Sequence, residues 1–253
     1  ALPILPVRNG ATKRHMRLIV DGTAVRAFDI ELAEDQPDFW VVADVAEFQG
    51  RRMAITVDDL PAMSAAWDAI SPGDKLRGSE GLYREMYRPQ FHFTARRGWH
   101  NDPNGLMYYQ GEYHLFFQHN PYGREWGNMH WGHAISRDLV RWQELEEALY
   151  PDALGTCFSG SGVVDTGNTA GFQTGDDKPL VCIYTSAGGT SPESAGQPFT
   201  QSLAFSNDRG RSWTKYAGNP VLGHIVGHNR DPKVIWHAPT ARWIMALYLD
   251  GCR

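Results

Sequence analysis

Two copies of one short pattern constrain this 253-residue chain more than anything else in it. Ser136-Arg137-Asp138-Leu139-Val140-Arg141-Trp142 is echoed by Ser206-Asn207-Asp208-Arg209-Gly210-Arg211-Ser212-Trp213, with the two serines 70 positions apart. Apolar strand candidates recur at similar spacing: Tyr113 to Phe117, Leu180 to Tyr184, and Trp243 to Tyr248. Self-similarity on this scale is the mark of a repeat architecture.

The second copy resembles the Asp-box, S-x-D-x-G-x-x-W, a hairpin turn found in several β-propellers. Its Asp can satisfy local backbone N–H groups while its Trp packs into the blade. A unit of about four strands per ~40–70 residues predicts propeller blades, and roughly two and a half of them fit between residues 88 and 253. A propeller closes with at least about four blades, so an incomplete one is expected here.

Residues 12–60 read as a separate strand-rich module. Met16 to Val20, Val25 to Leu32, Asp38 to Val45 and Met53 to Val57 are short runs rich in β-branched and aromatic residues, with Asp21-Gly22 and Gln49-Gly50 as turns. Phe28, Ile30 and Leu32 alternate with Asp29 and Glu31, as in a strand with one wet face. The polar stretch Ser71-Pro72-Gly73-Asp74-Lys75 sets a boundary near residues 70–86. The expected organisation is therefore a small β-rich module over 1–86 and an incomplete propeller over 87–253.

The net charge of −5 gives no electrostatic reason to expect nucleic acid or an anionic membrane as partner. No apolar run approaches the roughly 20 residues of a membrane helix. Cys157, Cys182 and Cys252 are too few and too scattered for a disulfide framework. The opening Ala1-Leu2-Pro3-Ile4-Leu5-Pro6 lacks the basic and apolar regions of a signal peptide. Localisation stays open on these grounds, with a secreted or periplasmic site slightly favoured.

The densest chemistry lies in Trp99-His100-Asn101-Asp102-Pro103-Asn104-Gly105. By composition this is a turn. The sharper reading is a carboxylate aimed into a pocket by a rigid turn, because nucleophilic attack depends on close positioning. Four further blocks follow in order: Phe117-Gln118-His119-Asn120-Pro121, Trp126-Gly127-Asn128-Met129-His130-Trp131-Gly132-His133, Phe158-Ser159-Gly160-Ser161 and Arg230-Asp231-Pro232.

This ordered series resembles glycoside hydrolase family 32, the invertases, inulinases and levanases. The resemblance implies an all-β fold in which residues 87–253 form part of a five-bladed β-propeller. It implies Asp102 as the nucleophile that forms a covalent fructosyl-enzyme. Asp231 would hydrogen-bond sugar hydroxyls and stabilise the transition state, with Arg230 beside it. Asn101, Gln118 and Ser159 would read the fructose, and Trp126 and Phe158 would form the apolar wall. The carbohydrate partner would be a fructan or sucrose.

No metal or cofactor is implied. His130 and His133, three apart on a strand, would point to opposite faces and suit a shared metal poorly.

Glycosidases of this kind need a second carboxyl as acid. In the family it is the Glu of E-C-P-D, a motif absent from these residues, and Glu193 in its Ser/Gly/Pro-rich setting reads as a solvated loop. The expectation is a fragment, or a chain completed by another, whose open sheet makes it unstable or self-associating. A fructosyltransferase and a non-catalytic fructan-binding protein are the alternatives. Glu-Cys-Pro-Asp in the coding sequence beyond Arg253 would separate the enzyme from the binding protein.

Overall fold

Period-two burial builds the first part of the chain. In β2 (Lys13–Val20) Met16, Leu18 and Val20 point inward, and in β3 (Thr23–Glu31) Phe28 and Ile30 do. The turn between them has Asp21 and Gly22 both at positive φ, a pairing that matches the twist of a two-residue hairpin. The computed structural model describes residues 2–251, in two compact units: 2–100 with 120–128, and 101–119 with 129–251. Cys252 lies outside the described residues.

The first unit holds two three-stranded antiparallel sheets. One is β3-β2-β5, with β5 at Met53–Val57; the other is β4-β1-β6, with β1 (Leu2–Val7), β4 (Phe39–Val42) and β6 (Ser71–Gly73). Their shared core includes Leu5, Val7, Met16, Leu18, Phe28, Ile30, Leu32 and Val41. Each such side chain, fully buried, contributes roughly 1.5–3 kcal/mol.

One strand departs from the sequence expectation: the run expected over Asp38–Val45 is a strand only over Phe39–Val42, because Ala46–Phe48 coils into a 3-10 turn. Residues 2–7, left unassigned from the sequence, form the middle strand of their sheet. There Pro3 and Pro6 still accept through their carbonyls, from the N–H groups of Ala43 and Ala33. The loop 120–128 belongs with this unit through Tyr122, whose ring stacks on Phe28 at 3.6 Å. Asn128 adds a reciprocal pair of hydrogen bonds with the Asp29 backbone at 2.8 and 2.7 Å.

The second unit carries the repeat. Its first sheet is β10-β9-β8-β7, formed by β7 (Trp99–Tyr109), β8 (Glu112–Asn120), β9 (His130–Ser136) and β10 (Trp142–Glu144). Its second is β11-β12-β13-β14, formed by β11 (Thr156–Val164), β12 (Leu180–Ala187), β13 (Phe199–Ser206) and β14 (Thr214–Lys215). A third holds β15 (Arg230–His237) and β16 (Arg242–Tyr248). Two four-stranded antiparallel sheets and a two-stranded one make a partial propeller. Among the described residues no helix is long and apolar enough to cross a membrane.

Each four-stranded sheet turns from its third to its fourth strand through one copy of the Ser/Asp pattern. In the first, Asp138 Oδ1 accepts from the N–H groups of Val140 (2.9 Å) and Arg141 (2.7 Å). In the second, Asp208 Oδ1 accepts from Arg211 (3.0 Å) and Ser212 (2.9 Å). Ser136 and Ser206 hydroxyls accept from backbone N–H groups in the same turns. The residue after each Asp is left-handed, Leu139 at φ 63° and Arg209 at φ 59°.

Trp213 at the end of the second turn reaches the first sheet. It meets Phe116 edge-on at 5.3 Å and His133 at 6.3 Å, joining a core that includes Trp131, Cys157, Cys182 and Tyr184. Beside it His114 Nδ1 and His133 Nε2 lie 3.0 Å apart in a buried pair. Burial pushes the His114 pKa down to about 4 and drives His133 well below the usual range, so both rings stay neutral at pH 7.

Candidate active site

Asn101-Asp102-Pro103-Asn104-Gly105 is not the turn its composition suggests; it runs inside β7, the edge strand of the first sheet. An edge position tolerates Pro103, which has no N–H to give to a ladder. The bend the motif encodes is confined to Gly105, at φ 52°. A Cβ there would stand 2.7 Å from Phe116 Cδ2 and 3.0 Å from Trp131 Cζ3. Glycine thus lets β7 settle onto the aromatic core and leaves Asp102 exposed at its end.

The F-S-G-S segment begins β11. Phe158 pairs with Thr185 and Gly160 with Tyr184, so Ser159 is the extra residue of a β-bulge. Bulges re-aim side chains, and this one directs Ser159 Oγ to Asp102 Oδ2 at 2.8 Å. The bulge is held from both sides. Trp131 Nε1 donates to Phe158 O at 2.9 Å, and Gln118 Nε2 donates to Cys157 O at 2.9 Å. A side chain at Gly160 would collide with Ile183 O, and one at Gly162 would come within 2.8 Å of Gly105 O. Strands β7 and β11 therefore meet backbone to backbone.

Arg230-Asp231-Pro232 opens β15, where a second irregularity occurs: the register with β16 shifts between Arg230 and Lys233. Asp231 has φ 60°, a conformation that costs a non-glycine residue about 1–2 kcal/mol and persists only when its surroundings impose it. Its N–H donates to Thr185 Oγ1 at 3.1 Å. Thr185 donates in turn to Gln201 Oε1 at 2.7 Å, and Gln201 Nε2 donates to Asn229 O at 3.0 Å. Thr185, Gln201 and Asn229 are wholly buried. The following F-S-G-S serine, Ser161, accepts from Val234 N at 3.0 Å and ties β15 to β11.

Electrostatics separate the carboxylates from a simple ion pair. Burial raises the Asp231 pKa; Arg230, whose Nε is 3.5 Å from Asp231 Oδ2, opposes the rise, and the charge of Asp102 adds to it. Asp102 and Asp231 thus feel one another across the first strands of two sheets.

Of the residues expected from sequence, Asp102, Ser159, Phe158, Arg230 and Asp231 gather on β7, β11 and β15. Phe158 packs edge-on against Phe199 at 5.5 Å. Asn101 is half-buried beside Asp102, and Gln118 is buried with its amide on β11. Trp126 lies in the other unit, 53% exposed, within the loop 120–128. Glu193 is half-buried in the 3-10 turn Pro192–Ser194. His130 and His133 are both buried, and only His133 pairs with His114.

Sequence reading passed over Thr185, Gln201 and Asn229. Their signal was present: Thr185-Ser186 and Thr200-Gln201-Ser202 are small polar runs inside otherwise apolar strands, and buried polar groups must find partners.

Residues 92–250 match the family model described as Glycosyl hydrolases family 32 N-terminal domain. The chain belongs to glycosyl hydrolase family 32. It is 58% identical over 166 residues to a levanase of Bacillus subtilis (strain 168), covering 65% of this chain and 24% of the levanase.

Among solved structures of the family, the exo-inulinase from Aspergillus awamori superposes with a TM-score of 0.58 at 43% identity, over 65% of this chain and 36% of that one. The β-fructofuranosidase of Schwanniomyces occidentalis complexed with fructosyl-erythritol gives 0.57 at 44% identity, over 63% and 31%. The chain spans about a quarter to a third of the length of the curated relatives it matches.

Proposed function

We propose that this chain supplies the nucleophile side of a β-fructosidase site that releases terminal β-D-fructofuranosyl units. The observation that carries the reading is Asp102, exposed and hydrogen-bonded by Ser159 at 2.8 Å, facing an Asp231 held in a left-handed bulge. Asp102 attacks the anomeric carbon, the glycosidic C–O bond breaks, and the fructosyl group passes to the carboxylate. Water then attacks the ester and frees fructose with retained configuration. Asp231, as a carboxylate, accepts from sugar hydroxyls and stabilises the positive charge that develops at the ring. Asn101, Gln118, Ser159 and Arg230 shape the polar side of the pocket, and Phe158 its apolar side.

The proton donor for the leaving oxygen is not assigned among the described residues. Identity to a levanase and an exo-inulinase supports a fructan over sucrose, and the extracellular exo-inulinases among the relatives support a secreted protein.

The test is fructose release from levan, inulin and sucrose by the longest natural chain that contains these residues. Release from the fructans, lost in Asp102→Ala, is the expected result. Fructan binding without release in the unmodified protein would instead establish a binding module.

A further inference from the structure

Arg230 is held by more than its neighbour Asp231. In the β15–β16 ladder it stands directly opposite Tyr248, and its guanidinium lies 4.3 Å over the Tyr248 ring. Cross-strand pairs of this kind are the unit of sheet stabilisation, and a cation over an aromatic face adds an electrostatic attraction. Arg230 Nη1 donates to His228 O at 3.0 Å and lies 3.6 Å from Asp250 Oδ1. The other oxygen of Asp250 accepts from His228 N at 2.6 Å. Asp250 therefore ties the open end of the hairpin beyond the Arg230–Tyr248 pair and fixes the backbone that Arg230 also grips. Gly227, at φ 50°, packs so tightly that a Cβ would stand 2.6 Å from Asp250 Oδ2.

This arrangement does something the family motif alone does not require. A free arginine side chain would give up most of its rotamer freedom on engaging a sugar. Here the ring, the carbonyl and the second carboxylate have already ordered it. Asp250 also shares the cation with Asp231, so the charge of Arg230 is divided between a carboxylate on the site and one outside it.

We propose that Tyr248 and Asp250 are positioning residues that set the guanidinium of Arg230 against Asp231 and the sugar, a role that rests on the fructosidase reading above. Neither reaches the reacting atoms; both act through Arg230.

The test is a double-mutant cycle on the longest natural chain containing these residues, with inulin or levan as substrate. Tyr248→Leu lowers kcat/KM about tenfold in the parent but less than about twofold in the Arg230→Lys background, because the clamp then has nothing to hold. Asp250→Asn gives about threefold, also lost in that background. In parallel, the Nε–H resonance of Arg230 in an NMR spectrum, sharp in the parent through restricted rotation, broadens in Tyr248→Leu.

Equal effects of Tyr248→Leu in both backgrounds, or an unchanged Arg230 resonance, overturn the proposal. A parent that releases no fructose overturns the fructosidase reading instead, and the arginine resonance then decides the clamp by itself.

Discussion

Four aspartates of the second unit invite comparison, two on the inner strands and two in the outer turns. Asp138 and Asp208 spend their oxygens on the backbone: each accepts from two N–H groups of its own turn, and each also bonds a neighbouring side chain. Asp102 accepts from one hydroxyl among the described residues and stays exposed; Asp231 pairs loosely with Arg230, and its backbone, not its carboxylate, is what the buried network holds. The difference separates carboxylates used up inside a turn from carboxylates left open to solvent. A carboxylate consumed by its own turn builds the sheet, while one with lone pairs to spare and a pinned main chain is available for chemistry.

The comparison breaks most visibly at Asp102. On the fructosidase reading proposed above, Asp102→Ala lowers kcat on levan or inulin by at least about 10³-fold while the melting temperature moves little, which steady-state kinetics and calorimetry check together.

On the same reading Asp231→Asn follows, with about a 10²-fold loss expressed in kcat more than in KM, as expected of a contact that strengthens in the transition state. Its pKa sharpens the point. An acid whose pKa is raised in the folded state releases its proton later, so activity that needs the carboxylate falls on the acid side at a pH above the ordinary 3.8. A pH profile of kcat/KM measures it.

Thr185→Val removes the acceptor for Asp231 N and the donor to Gln201 with almost no change in shape. It costs about 1–3 kcal/mol in urea unfolding and lowers kcat/KM about tenfold, and Thr185→Ser restores both.

The turns respond in the opposite sense. Asp208→Ala lowers stability by about 1–2 kcal/mol, by analogy with the loss of a capping residue, and leaves KM unchanged. Asp138→Ala, in the more exposed turn, has a smaller effect on the melting temperature.

Hydrogen bonds hold both turn carboxyls below the ordinary range, against burial in the case of Asp208 and chiefly through the Arg141 and Val140 N–H groups for Asp138. Their stabilisation is therefore present above pH 3.8 and drains away as the pH falls below it, toward about 2 in the case of Asp138. The buried His114–His133 pair adds to the acid sensitivity: its stabilisation is complete above pH 6.5 and is lost as the pH falls toward about 4, since the unfolded chain takes up protons that the folded one refuses.

Much of this was legible before any coordinates. The repeated Ser/Asp pattern gave away the outer turns because its Ser and Asp side chains work locally: the turn bonds they make lie within five residues. The motif series pointed to Asp102, Ser159 and Asp231 by resemblance, but not to how they are held. Composition suggested a turn at Asn101–Gly105, and pairing with β8 overrode that propensity. The two bulges are invisible in sequence, because a bulge is a relation between strands. The loop 120–128 was equally hidden: its place in the first unit depends on Tyr122 stacking on a ring 94 positions earlier (122 − 28), which no local signal encodes. Thr185, Gln201 and Asn229 needed the fold to reveal that their polar groups are interior.

One consequence of the glycines remains. At Gly105 and Gly162 the first strands of two sheets approach with no room for a methyl group, and the 2.8 Å reach from Ser159 to Asp102 depends on that spacing. One more carbon at Gly162 would press on Met107 and on the Gly105 carbonyl and wedge the strands apart, while at Gly105 it would press on Phe116 and Trp131 and lift β7 from its core. The distance from Ser159 to Asp102 is thus gauged by two residues that carry no polar side chain, and the spacing of the polar groups is set by an absence of bulk beneath them.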